Sequence, residues 1–183
     1  MRLLFVARAA PHKGLADLLS ALTSLARADW SLTIVGAIAG EDAPSLAAAA
    51  ERFGPRLTVF GAKPLAEVAE IMRAHDALVV PSRYENFCNA ALEGLACGLP
   101  VIGVSVGGIR DMVKHRSNGV LFPPRNPAAL AAALSWALDH PAKMRRMRAG
   151  ARSSARHYSW RAITDLTHDA LLSTLWRRQR GDP

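Results

Sequence analysis

Residues 79–102 read VVPSRYENFCNAALEGLACGLPVI, and the architecture can be argued outward from them. A β-branched apolar run ends at Pro81 and Ser82, a loop carries Glu85, and a helix opens near Cys88 or Asn89 before a second apolar run begins at Val101. Two short strands joined through a helix pair in parallel, because only a crossover connection returns the chain to the same end of a sheet. The same alternation continues on both sides. Strands are expected at 3–6, 32–35, 57–60, 78–80 and 101–103, with a short sixth near 120–122. Helices are expected at about 15–28, 44–53, 65–74, 89–96, 109–113, 127–138, 143–156 and 160–178. Pro127 suits the first turn of its helix, where a missing N–H costs nothing.

The strands are continuous apolar runs, as strands buried on both faces must be. The expectation is therefore an α/β chain with a Rossmann-like, doubly wound parallel sheet of about six strands and C-terminal helices. Residues 1–140 form the Rossmann-like unit in this reading, and 141–183 a basic helical extension packed on it. In the last helix Trp160, Ile163, Leu166, Ala170, Leu171 and Leu175 recur at helical spacing, an apolar stripe that needs a partner.

Composition narrows the function. Of 183 residues, 50% are hydrophobic and 21% charged, which fits one ordinary globular unit. No apolar run is long enough to span a bilayer, and no cleavable leader follows Met1, so a cytoplasmic protein is expected, peripheral at the inner membrane face at most. Cys88 and Cys97 are too few for a disulfide framework, and no Cys/His cluster has zinc spacing. The net charge of +8 is a C-terminal feature: 13 Lys and Arg face 12 Asp and Glu through residue 139, and ten face three beyond it. With 6% aromatic residues and no aromatic–basic alternation, nucleic acid is not an expected partner. The basic end suits an acidic surface, anionic lipid headgroups or simple solvation.

Ligands of an open parallel sheet bind beyond the carboxyl ends of its strands. After the first strand, ARAAPHKG (7–14) places Arg8 and Lys13 in one loop, two cations able to hold a pyrophosphate. It is not a Walker A loop, and GAIAG (36–40) is not the dinucleotide fingerprint. NAD and FAD are disfavoured, and no cofactor is expected. The amides of Phe87, Cys88 and Asn89 would stand free at a helix N-terminus, an anion site. Glu85 and Glu93, eight residues apart, would repel a phosphate and instead suit the hydroxyls of a sugar or ribose.

Glu-x7-Glu in this setting, followed by ACGLPVI (96–102) and Gly107–Gly108, resembles the donor-binding, C-terminal domain of the retaining GT-B glycosyltransferases of family 4, also called group 1. ARAAPHKG, LTIVG (32–36), LTVFG (57–61) and NGVLFPPRNPAALAAAL (118–134) fall in that family's order. The resemblance implies that Arg8 and Lys13 grip the donor diphosphate and that Glu85, the third residue implied in catalysis, contacts the sugar hydroxyls. It implies that Glu93 binds the ribose, that the backbone of Phe87, Cys88 and Asn89 approaches sugar and phosphates, and that the nucleobase lies near Gly61 and Lys63. Sugar transfer would keep the anomeric configuration. No Asp-x-Asp pair is present, so the cations and the helix N-terminus would neutralise the leaving diphosphate without metal. Ala7, Cys88, Gly94 and Asp111 stand where the family usually has Gly, Gly, Ala and Glu, and of these only Cys88 touches the site. The acceptor-binding N-terminal domain would belong to the same or a separate chain, and the pathway expected is polysaccharide or glycolipid synthesis. A GT-B sugar-nucleotide epimerase and a non-catalytic nucleotide-sugar-binding subunit are the rival readings.

Other candidates read more simply. Cys88 at a helix start is either an activated thiolate or a small neutral residue at a tight turn. Cys97 belongs to the core, His12 to an exposed loop, and Trp136, Trp160 and Trp176 to packing faces. His168 and Asp169, adjacent in a helix, point apart.

Overall fold

A computed structural model describes residues 1–8, 10–37 and 40–180. Six parallel strands form one sheet: β1 (Arg2–Val6), β2 (Ser31–Val35), β3 (Leu57–Phe60), β4 (Ala77–Val80), β5 (Val101–Val104) and β6 (Gly119–Phe122), in spatial order β3-β2-β1-β4-β5-β6. Among the described residues eight α-helices connect and flank them: α1 (Leu15–Ser24), α2 (Ala43–Phe53), α3 (Leu65–Ala74), α4 (Asn89–Ala96), α5 (Gly107–Met112), α6 (Pro127–Asp139), α7 (Pro141–Ala155) and α8 (Trp160–Arg180). The sheet is Rossmann-like, as its continuous apolar strands require. Leu3, Leu4, Leu32, Ile34, Leu78, Val101 and Ile102 are fully enclosed. Helix α1 packs with both α2 and α6, while α4 gathers α3, α5 and α7.

Most boundaries differ from the sequence reading by no more than two residues, and two of the differences have a visible cause. Helix α1 stops at Ser24 rather than near 28, because Leu25 turns extended and Arg27 is held by Asp29 and Asp139, which pulls the chain out of helical register. Helix α5 starts at Gly107, earlier than expected, since a glycine pair that propensity treats as a breaker is here set against another loop.

Helix α7 lies along α4 and buries Met144, Met147 and Ala151. In α8 the expected stripe is exposed, with Trp160 at 89% and Leu166 at 63%. The side chain of Leu175 lies outside the described residues. Among the described residues no helix is long and apolar enough to cross a membrane.

One half-buried group links the sheet to pH. His75, after α3, donates from Nδ1 to the Ile71 carbonyl (2.6 Å), and Nε2 accepts from Thr33 Oγ1 (2.8 Å). Burial, and secondarily the charge of Arg2, hold its titration below the usual histidine range. The unfolded chain then binds the proton more readily, so stability falls as pH drops through the ordinary histidine range of about 6.5. Urea titrations should show this loss in the native chain and a flatter profile for His75→Gln. A profile unchanged by the substitution would remove His75 as its cause.

Candidate active site

The strand order reverses between β1 and β4, and the crevice predicted at such a switch point is present as a cleft of about 660 Å³. Arg8, Lys13, Lys63, Glu85, Phe87, Cys88, Asn89 and Glu93 all line it. Gly61 does not: its carbonyl accepts the N–H of Gly36 (3.2 Å), and it stands just outside the wall.

Two loops make the centre of the cleft. The segment before α1 ends at Gly14 in the left-handed conformation (φ 74°), where a Cβ would run into the carbonyl of Pro81. The two loops therefore touch backbone to backbone. Arg83 N–H donates to the His12 carbonyl (2.7 Å), and the His12 ring stacks on Tyr84 at 4.6 Å. This joint brings Lys13 Nζ to 2.6 Å from Glu85 Oε1, which also accepts from Ser82 Oγ at 2.9 Å. The sequence reading assigned these two residues to different parts of a ligand. They hold each other, and Glu85 keeps only 9% of its side-chain surface exposed. Arg8 is exposed and makes no ion pair among the described residues.

Helix α4 presents its N-terminus to the cleft with no side chain capping it. The Cys88 carbonyl accepts the N–H groups of Ala91 (3.1 Å) and Leu92 (3.3 Å), which leaves the amides of Asn89 and Ala90 at the start of the helix to meet an anion. Cys88 precedes them in the left-handed region (φ 71°), where glycine fits and a side chain costs about 1 kcal/mol or more. That is the physical reason a glycine is usual at this point. Burial, and secondarily the charge of Glu85, push the Cys88 thiol up to about 11. It is a neutral, packed group at ordinary pH, so the activated-thiolate alternative falls away. Glu93, in the second turn of α4, is half-buried, and burial raises its carboxyl above the usual range. Lys63 pairs with Glu67 (3.0 Å) and lies near the Phe60 ring at the opposite wall.

Sequence reasoning missed Ser82 and the backing of the Glu85 loop. Gly107, at φ 43°, packs so closely that a Cβ there would overlap the Glu85 carbonyl. A Cβ on Gly108 would lie 2.6 Å from the Phe87 carbonyl oxygen, and the Gly108 N–H donates to the Asn86 carbonyl (2.9 Å). The signal was the Gly-Gly pair itself. Among the described residues no three His, Cys, Asp or Glu side chains gather to hold a metal.

A 3-2-1-4-5-6 parallel sheet with its cleft at the switch point, faced by an uncapped helix, is the Rossmann-like half of a GT-B fold. The chain belongs to the family of group 1 glycosyl transferases, whose model matches residues 2–154. It is 34% identical over 183 residues to a D-inositol 3-phosphate glycosyltransferase of Segniliparus rotundus, covering 97% of this chain and 40% of that protein. It is 33% identical over 184 residues to glycogen synthase of Mycobacterium tuberculosis, covering 99% of this chain and 44% of that one. Among solved structures, sucrose-phosphate synthase of Thermosynechococcus elongatus superposes with a TM-score of 0.81 at 30% identity, over 97% of this chain and 46% of the other. HepE of Anabaena shares the fold, with a TM-score of 0.81 at 23% identity over 94% and 48%. The chain thus spans less than half the length of these relatives.

Proposed function

We propose that the chain is the donor-binding half of a retaining glycosyltransferase that takes its sugar from a nucleoside diphosphate sugar without a metal ion. The observation that carries this is the single cleft in which Arg8, Lys13 and the amides of α4 converge beside Glu85 and Glu93. Cations and free N–H groups suit a diphosphate, and two carboxylates suit hydroxyls on either side of it. In the reaction the bond from the anomeric carbon to the diphosphate oxygen breaks and one to the acceptor oxygen forms on the same face. The acceptor's proton passes to the departing phosphate, whose growing charge falls on Arg8, Lys13 and the helix N-terminus. The acceptor is held by the other half of a GT-B enzyme. The relatives named above differ in what they build, which agrees with an acceptor recognised outside the matched region. A polysaccharide or glycolipid product made at the cytoplasmic side, with the basic C-terminus near anionic headgroups, completes the reading.

Calorimetry on two variants tests the placement. Glu93→Gln should weaken a nucleoside diphosphate and its sugar conjugate by similar factors, about tenfold, because both carry the ribose. Glu85→Gln should weaken the sugar conjugate alone, and by releasing Lys13 it should leave the bare diphosphate unchanged or tighter. If Glu85→Gln costs the bare diphosphate as much as the conjugate while Glu93→Gln is silent, the assignment is reversed and fails.

A further inference from the structure

A second concavity lies at the other end of the sheet. The loop before β6 and the start of α7 enclose about 600 Å³ lined by Arg116, Ser117, Trp136, Lys143, Arg146 and Met147. Because Arg116 and Ser117 precede β6, the concavity sits at the amino ends of the strands, away from the donor cleft at their carboxyl ends. Three cations and no carboxylate line it. Among the described residues none of the three forms an ion pair, and the nearest acid along the chain, Asp139, is taken by Arg27.

Arg116 and Lys143 are placed at a cost to the fold. Arg116 occupies the left-handed region (φ 67°), where an arginine is strained by about 1 kcal/mol or more and glycine or asparagine would not be. Lys143 and Arg146 stand in the first two turns of α7, which has no acidic residue in its first turn. Positive charge there opposes the helix dipole, by about 0.3–1 kcal/mol for each group near the end. The three also repel one another. A left-handed arginine and a lysine in the first turn of a helix, each locally unfavourable, meet in one concave place and mark a site under another demand.

The arrangement is also rigid. The Arg116 guanidinium lies 3.3 Å above the Trp136 indole, His140 stacks on the same ring at 4.5 Å, and Lys143 Nζ is 5.7 Å from its centre. Stacking fixes the planar guanidinium, and its Nε–H donates to His115 Nε2 (3.0 Å), which leaves the two terminal nitrogens to face a phosphate with little side-chain entropy to be lost on binding. Among the described residues, no exposed large apolar side chain lines the concavity. A bilayer would find nothing there to insert, which favours a soluble ligand.

We propose that this concavity binds a small soluble anion carrying more than one phosphate group, at a site separate from the donor cleft. The test is a two-dimensional NMR titration of the 183-residue chain with inorganic pyrophosphate at physiological salt. The Trp136 indole N–H and the amides of Arg116, Ser117 and Lys143 should shift and saturate, on a curve distinct from that of Arg8, Lys13 and Asn89. Arg116→Ala and Arg146→Gln should each weaken the first curve by about tenfold and leave the second in place. Arg146 is an exposed helical position, so its variant keeps the test sound if Arg116→Ala fails to fold. Shifts confined to the donor cleft, an unsaturating drift, or curves indifferent to both variants would overturn the proposal. So would capture by phosphatidylglycerol vesicles with no response to pyrophosphate.

Discussion

Gly107→Ala is expected to destabilise the chain by about 2–5 kcal/mol, from backbone strain and overpacking together. A methyl group at this position meets the Glu85 carbonyl, and the φ of 43° already excludes ordinary side chains. Relief requires either α5 or the Glu85 loop to move, and that loop carries half of the cleft. Donor affinity should therefore fall together with stability. Gly61→Ala is the control, since a Cβ there meets nothing within 4 Å and its backbone is unstrained. Urea midpoints for the two variants decide the matter: equal midpoints would mean that the Gly107 contact does not hold the loop.

Lys13→Ala should weaken nucleoside diphosphate binding by about one to two powers of ten, the usual worth of a charge-assisted hydrogen bond. It should also leave Glu85, nearly enclosed, with only the Ser82 hydroxyl. An enclosed carboxylate without its cation destabilises a fold, and Lys13 is 27% exposed, so solvent softens the loss to about 1–2 kcal/mol. The double variant Lys13→Ala/Glu85→Gln should regain most of that stability and none of the diphosphate affinity. A double-mutant cycle in denaturant with no coupling between the two positions would show that the 2.6 Å contact carries no energy.

The sheet was legible in the sequence because most of its strands are buried on both faces and announce themselves as unbroken apolar runs, whereas β3, at the edge of the sheet, reads as such a run although Val59 and Phe60 are exposed. Ends of helices were less legible. Arg27 ends α1 by reaching Asp139, more than a hundred residues away, and no local propensity contains that contact. The site was legible where chemistry is carried by residue type, as with Arg8, Lys13, Glu85 and Glu93. What escaped was how these groups are held. The Lys13–Glu85 pair depends on the meeting of His12 with Arg83 and Tyr84, loops some seventy residues apart. The role of Gly107 and Gly108 depends on which backbone they touch. Cys88 shows both sides: its departure from glycine could be read, but its positive φ and raised thiol came only with the burial around it.

The position of β1 bears on how the chain is built over time. It pairs with β2, its neighbour in sequence, and with β4, whose residues are made long afterwards; Arg2 reaches across 74 positions to Asp76. Strands β1, β2 and β3 can zip together first, leaving the central strand open along one side until the second half arrives. Closing that gap is a long-range step, slow by the entropy of the loop it must gather. The cleft lies on this seam, so it is complete only when β4 has joined β1, and a nucleotide that binds it should act in refolding after that pairing and not before. Until then the bare flank of β1 is the part of the molecule most exposed to wrong pairing with another chain.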